Sequence, residues 1–145
     1  MAYHGEVLTY CPADLDFSVI YAVIVSGDLP NPCGHALLFV PSVYAIFSSD
    51  GSYFQVAQMN GFPLILSTKG YLLYLRENKK KELTRYAVSL SDPGAAINRL
   101  EETMQKKWLW AVLPHNCAAF VEDICSAGGS SAGLYTNCPR WEKFK

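Results

Sequence analysis

Short apolar runs broken by turn residues occupy the chain as far as Leu90, and beyond Ser91 the apolar residues recur at steps of three and four. The first pattern predicts strands and the second helices. Candidate strands are 35–40, 43–48, 53–59, 62–67 and 71–76, read as a β-meander with turn signals at Asp50-Gly51, Asn60-Gly61 and Lys69-Gly70. Tyr71 to Leu75 and Thr84 to Leu90 read as a hairpin around the basic run Lys79 to Lys81. Phe17 to Val25 is apolar and β-rich, and fits either a strand or a short helix. Leu29-Pro30-Asn31-Pro32 reads as a rigid connector into the strand that starts at His35.

The period changes at Ser91-Asp92-Pro93-Gly94. Asp92 is a suitable N-cap and Pro93 suits the first helical position. Ala96, Ile97, Leu100, Met104 and Trp108 then mark one face of a helix over 93–107. Lys106 and Lys107 would close its last turn, as the helix dipole favours. A second helix is predicted from Cys117, with Asn116 as N-cap, an apolar face of Phe120, Val121, Ile124 and Cys125, and Gly128 at the C-cap. Trp108 to Leu113 reads as core or groove wall, and Tyr135, Trp141 and Phe144 as residues that dock the tail. The expectation is one α+β domain over 1–145: an antiparallel sheet packed against the helix bearing Cys117 and a second helix.

Length and composition agree with that picture. The chain has 145 residues, half of them apolar and 13% aromatic, enough for one domain with a real core. Its net charge of −1 argues against nucleic acid as the principal partner, since phosphate binding needs a basic face. Lys79 to Lys81 lies between Glu77 and Glu82 and reads as a solvated turn. No apolar run approaches the ~20 residues of a membrane-spanning helix. No basic region follows Met1, so a signal peptide is not expected, and synthesis in the cytosol or excision from a longer protein fits.

Two segments carry chemistry. In HNCAAFVEDICSAGG, residues 115–129, Cys117 stands in the first turn of a helix. Unpaired backbone N–H groups and the positive end of the helix dipole favour a thiolate there, and the thiolate is the nucleophile. In CGHALLFV, residues 33–40, His35 stands at the mouth of a strand, where an imidazole can serve as the thiol's base. Other readings compete. Cys117 also suits plain packing under a helix, and His35 a local hydrogen bond. Cys33, His35, His115 and Cys117 form C-x-H and H-x-C pairs that could hold zinc, although structural zinc sites mostly use wider spacing. Cys117 and Cys125 would lie about 12 Å apart along a helix, too far for a disulfide. Cys11–Cys138 and Cys33–Cys138 remain open as pairs.

GHALLFV followed some eighty residues later by NCAAFVEDI resembles the circularly permuted members of the NlpC/P60 papain-like superfamily. That group includes lecithin:retinol acyltransferase-like proteins and bacterial toxin domains, and its histidine strand precedes its cysteine helix, as here. The resemblance implies a permuted papain-like fold with Cys117 as nucleophile and His35 as base. It also implies a third polar residue that orients the imidazole. A dozen residues after His35 stands Phe47, with Ser48 beside it and Asp50, Gln55 and Gln58 beyond. An insertion in the hairpin would bring Gln55 to that role, and Ser48 is the second choice.

The implied activity is a cysteine hydrolase or acyltransferase, without cofactor or metal. Its implied substrates are acyl esters of membrane phospholipids or, alternatively, cell-wall peptides. Similarity to toxin domains delivered between bacteria, commonly by type VI secretion, implies synthesis in a bacterial cytoplasm, delivery to a target cell and a cognate immunity protein. A catalytically silent binding module and a zinc-stabilised domain are the alternatives from other classes.

Overall fold

The computed structural model describes residues 3–7, 14–26, 35–44, 50–56, 62–106 and 116–130, with the side chains of 116–119 excepted. The fold is α+β. Six strands form one sheet: β1 (Glu6–Val7), β2 (Val19–Val25), β3 (His35–Pro41), β4 (Gly51–Gln55), β5 (Leu64–Ser67) and β6 (Glu82–Ser89). Their spatial order is β1-β5-β4-β3-β2-β6, and every pairing is antiparallel. The helices are α1 (Thr68–Glu77), α2 (Pro93–Met104) and α3 (Asn116–Ala127).

Strand alternation sorts the apolar residues onto two faces. Ala22, Ile24, Ala36, Leu38, Val40 and Phe54 point to one face and pack with Ala96, Leu100 and Met104 of α2 and Phe120, Val121 and Ile124 of α3. Val23, Val25, Leu37, Phe39, Tyr53 and Leu66 point to the other and pack with Tyr71 and Tyr74 of α1. Covered on both faces, β3 reads as a continuous apolar run rather than an alternating one.

Residues 71–76 correct the expected meander: they are helical, so no hairpin joins them to β6. The Ser67 side chain caps α1 by accepting from the Gly70 N–H at 3.0 Å. Five apolar residues in a row suit a buried strand or a helix equally, and Tyr71 and Tyr74, three apart, are the ones α1 buries. Gly70 marks a close approach rather than a turn, since a Cβ there would stand 3.2 Å from the Tyr3 ring. Val43 and Tyr44, expected to open a strand, form an exposed turn after β3. Phe17 to Val25 resolves as strand from Val19 onward.

The helix α2 starts as expected, the Asp92 carboxylate accepting from the Ala95 N–H at 3.1 Å. It stops at Met104, so Lys106 lies beyond its last turn. At the end of α3, Gly129 takes a left-handed φ of 90°. Ser130 N donates to Cys125 O and Gly129 N to Ser126 O, each at 3.0 Å, which is a Schellman stop. Gly128 has a separate task. A Cβ there would meet both Leu90 methyls at 2.8 Å, so its absence lets α3 seat against the end of β6.

Candidate active site

His35 begins β3, opposite Val25 of β2. Leu38 pairs with Phe54 across β3 and β4, and continuing that register sets Gln55 opposite Leu37. His35 lies two residues before Leu37, hence on the same face as Gln55 and diagonal to it, within reach of a long side chain. Gln55 is wholly buried, and its Oε1 lies 2.6 Å from His35 Nε2.

The protonation pattern follows from donors and acceptors. Gln55 Nε2 donates to the backbone carbonyl of His4 at 2.7 Å. A carbonyl only accepts, so the amide nitrogen must face His4 and the amide oxygen must face His35. Oε1 also only accepts, so His35 donates through Nε2–H. In the neutral ring the lone pair then resides on Nδ1.

Two further rings complete the surroundings. Tyr74 of α1 lies 6.4 Å from His35 and 5.9 Å from His4, centre to centre. Burial, then the positive fields of His35 and Lys80, hold the His4 imidazole below its ordinary value, so it is neutral at neutral pH. Neither His4 nor Tyr74 was expected at the site. Tyr74 sat in the segment read as strand, and a backbone carbonyl such as that of His4 leaves no residue-type signal.

Cys117 stands in the first turn of α3, as expected, with the helix starting at Asn116. The body of α3 packs on the face bearing Ala36 and Leu38, whereas His35 and Gln55 project from the face that carries α1. The far end of α3 is tied where β6 ends and β2 begins: Asp92 N donates to Gly128 O at 2.9 Å, and Leu90 N to Ser18 O at 3.1 Å. That is the Pro41 end of β3, opposite the end where His35 stands.

Cys125 is a different kind of thiol. It is buried in the core, and desolvation together with the Glu122 charge pushes its pKa up to about 11, so it is unreactive at neutral pH. Ser48, the second choice for orienting His35, lies outside the described residues, as do Cys11, Cys33, His115, Cys138 and the aromatic tail. The disulfide pairs therefore fall outside them as well, and of the proposed zinc ligands His35 alone is described with its side chain, Cys117 by its backbone only. Among the described residues no cluster of potential metal ligands occurs, and no helix is long and apolar enough to cross a membrane.

No family model, no curated protein and no solved structure matches this chain.

Proposed function

We propose that the protein is a papain-like cysteine hydrolase or acyltransferase that cleaves acyl esters of membrane phospholipids and acts as a toxin delivered between bacteria. The observation that carries this reading is the buried Gln55 amide, which holds His35 in one tautomer at the start of β3. An imidazole kept as Nε2–H has a defined lone pair with which to take a thiol proton. The helix α3 supports the reading too. At ~1.5 Å per residue its twelve residues span about 18 Å. A helix of that length, tied at the Pro41 end of β3, is long enough for its first turn, with Cys117, to reach the His35 end.

In the proposed reaction the Cys117 proton passes to His35 and the thiolate attacks the ester carbonyl. The tetrahedral oxyanion is stabilised by N–H groups of the α3 first turn. The ester C–O bond breaks, and the leaving alkoxide takes the proton from the imidazolium. Water, deprotonated by His35, then releases the fatty acid from the thioester and restores the thiol. A toxin of this kind would require an immunity protein in its producer. Peptide-bond cleavage in the cell wall is the alternative with the same machinery.

A second reading has one observation in its favour. His35 and Gln55 belong to the α1 face and the body of α3 to the other, an arrangement equally suited to a binding module with no nucleophile–base contact. Incubating wild type and Cys117→Ala with phospholipid vesicles and with muropeptides, followed by mass spectrometry, tests both. Fatty-acid release by wild type alone supports the proposal. Cleavage of muropeptides alone moves the substrate to peptides, and inactivity on both favours the binding module.

A further inference from the structure

The segment just before β1 is fastened over the His35 end of the sheet by side chains at the end of α1. Tyr3 N donates to Glu77 Oε1 at 2.8 Å, and Asn78 Nδ2 donates to Tyr3 O at 3.0 Å. The Tyr3 ring lies against Gly70 of α1. Gly5 has a φ of 114°, and a Cβ there would stand 2.9 Å from the Ile65 carbonyl oxygen. Glu6 and Val7 pair with Ile65 and Leu64. Between these anchors the His4 carbonyl receives the Gln55 amide.

We propose that the strap formed by residues 3–5 is a positioning element for His35, acting by fixing the orientation of the Gln55 amide. The inference rests on the reading of His35 as the catalytic base. An amide can present either its oxygen or its NH2 to a neighbouring imidazole. The choice decides the imidazole tautomer. With the oxygen presented, His35 carries its proton on Nε2. With the NH2 presented, Nε2 must accept, and the proton moves to Nδ1. The buried Gln55 side chain bonds His35 of β3 on one side and the strap on the other. The strap carbonyl selects between these orientations, because it accepts only from the NH2. Tyr3, Glu77, Asn78 and Gly5 therefore bear on which nitrogen His35 offers to a proton donor, without touching its ring.

This role also accounts for an amide rather than a carboxylate at position 55. A carboxylate would hold an imidazole more strongly, but its second oxygen would oppose the His4 carbonyl oxygen at hydrogen-bond distance, with no proton between them. The strap and a carboxylate are incompatible, whereas the strap and an amide are complementary.

Nitrogen-15 NMR of the His35 ring reads the tautomer directly and needs no substrate. Wild type should hold the neutral ring as Nε2–H. Gly5→Val and Asn78→Ala each loosen the strap by a different route, and faster amide exchange at Val7 reports that it has moved. In a folded variant so loosened, the ratio of Nε2–H to Nδ1–H should fall about fivefold, the worth of one ordinary hydrogen bond. In the Gln55→Glu background the same strap variants should leave the tautomer unchanged, because a carboxylate accepts from Nε2–H in either orientation. A strap of purely structural role would not produce that dependence on residue 55. A wild-type ring protonated on Nδ1, or a loosened strap with the tautomer unmoved in the Gln55 protein, overturns the proposal. The hydrolase reading stands or falls separately, on product release. If that activity exists, loosened variants should lose kcat in proportion to the fall in the Nε2–H fraction, at unchanged KM.

Discussion

Replacing Gln55 by leucine tests whether the His4–Gln55–His35 connection contributes to the fold. Leucine is close to glutamine in bulk, so no large cavity opens. What is lost is an acceptor 2.6 Å from His35 Nε2 and a donor 2.7 Å from the His4 carbonyl. A fully buried polar group left without a partner costs about 1–3 kcal/mol. His4 and His35 are only partly buried, so water reaches them and the lower part of that range applies. Removing a wholly buried amide also removes its own desolvation, which offsets part of the loss. The expected destabilisation is about 2 kcal/mol, near one from each orphaned partner. For a domain of this length that lowers the melting temperature by roughly 4–8 °C. Urea unfolding of wild type, Gln55→Leu, His35→Ala and the double variant closes a cycle, and its coupling should be about 1 kcal/mol. A Gln55→Leu protein within about 0.5 kcal/mol of wild type, or a cycle with no coupling, would refute the argument, since surface changes commonly fall in that range.

Three further outcomes are expected. Phe120→Ala should cost about 3–5 kcal/mol in chemical denaturation, because the ring is wholly buried between α3 and the sheet, whereas Leu72→Ala on the exposed side of α1 should change stability by less than about 0.5 kcal/mol. Gly128→Ala should destabilise by about 1–3 kcal/mol in the same assay, despite alanine's better helix propensity, because its methyl collides with Leu90. Burial raises the Glu82 pKa, but hydrogen bonds from Arg85 and Tyr71 and the Arg85 charge outweigh it and hold the carboxyl below the ordinary value of 4.5. The stabilisation that follows is present above that value and lost as pH falls through the lower folded value, so stability measured against pH should decline below about 4.5 and Glu82→Gln should flatten the decline.

What the sequence discloses depends on how local each decision is. The start of α2 is a local matter, settled by Asp92 and Pro93, and the face of α3 by the spacing of Phe120, Val121, Ile124 and Cys125. Both were legible. Strand β3 was legible because its apolar run is bounded by Pro41 and begins at a polar residue. Residues 71–75 were not, because the competition between strand and helix was decided by the Ser67 cap and by how Tyr71 and Tyr74 pack under the sheet. Lys69-Gly70 imitated a turn, while the reason for Gly70 lies in Tyr3, far away in the chain. At the candidate site, His35 and Gln55 could be named as residues. That they meet depends on the β3–β4 register, which sets Gln55 diagonal to His35, and not on residue type. The role of His4 is carried by its backbone, to which the side-chain pattern is blind.

The division of labour between the two faces bears on the catalytic reading most directly. Consecutive residues His35 and Ala36 point to opposite sides of the sheet, His35 toward α1 and Ala36 into the core shared with α3. A nucleophile on α3 can therefore meet His35 only around the end of β3, not across its face. Ala36 is the strand residue nearest that end on the α3 side, and it is both buried and the smallest side chain that β3 turns to α3. A bulkier residue there would hold the helix away from the strand. Alanine leaves room for the backbone of α3, which its first turn would need if Cys117 is to pass beside the strand end and reach the imidazole. On the other side, Gln55 bonds the imidazole, the strap bonds Gln55, and the Tyr74 ring lies 6.4 Å from His35. A thiol–imidazole pair approached from α3 would need a small residue at position 36 and a held imidazole on the α1 side, and a binding module on the same fold could carry both.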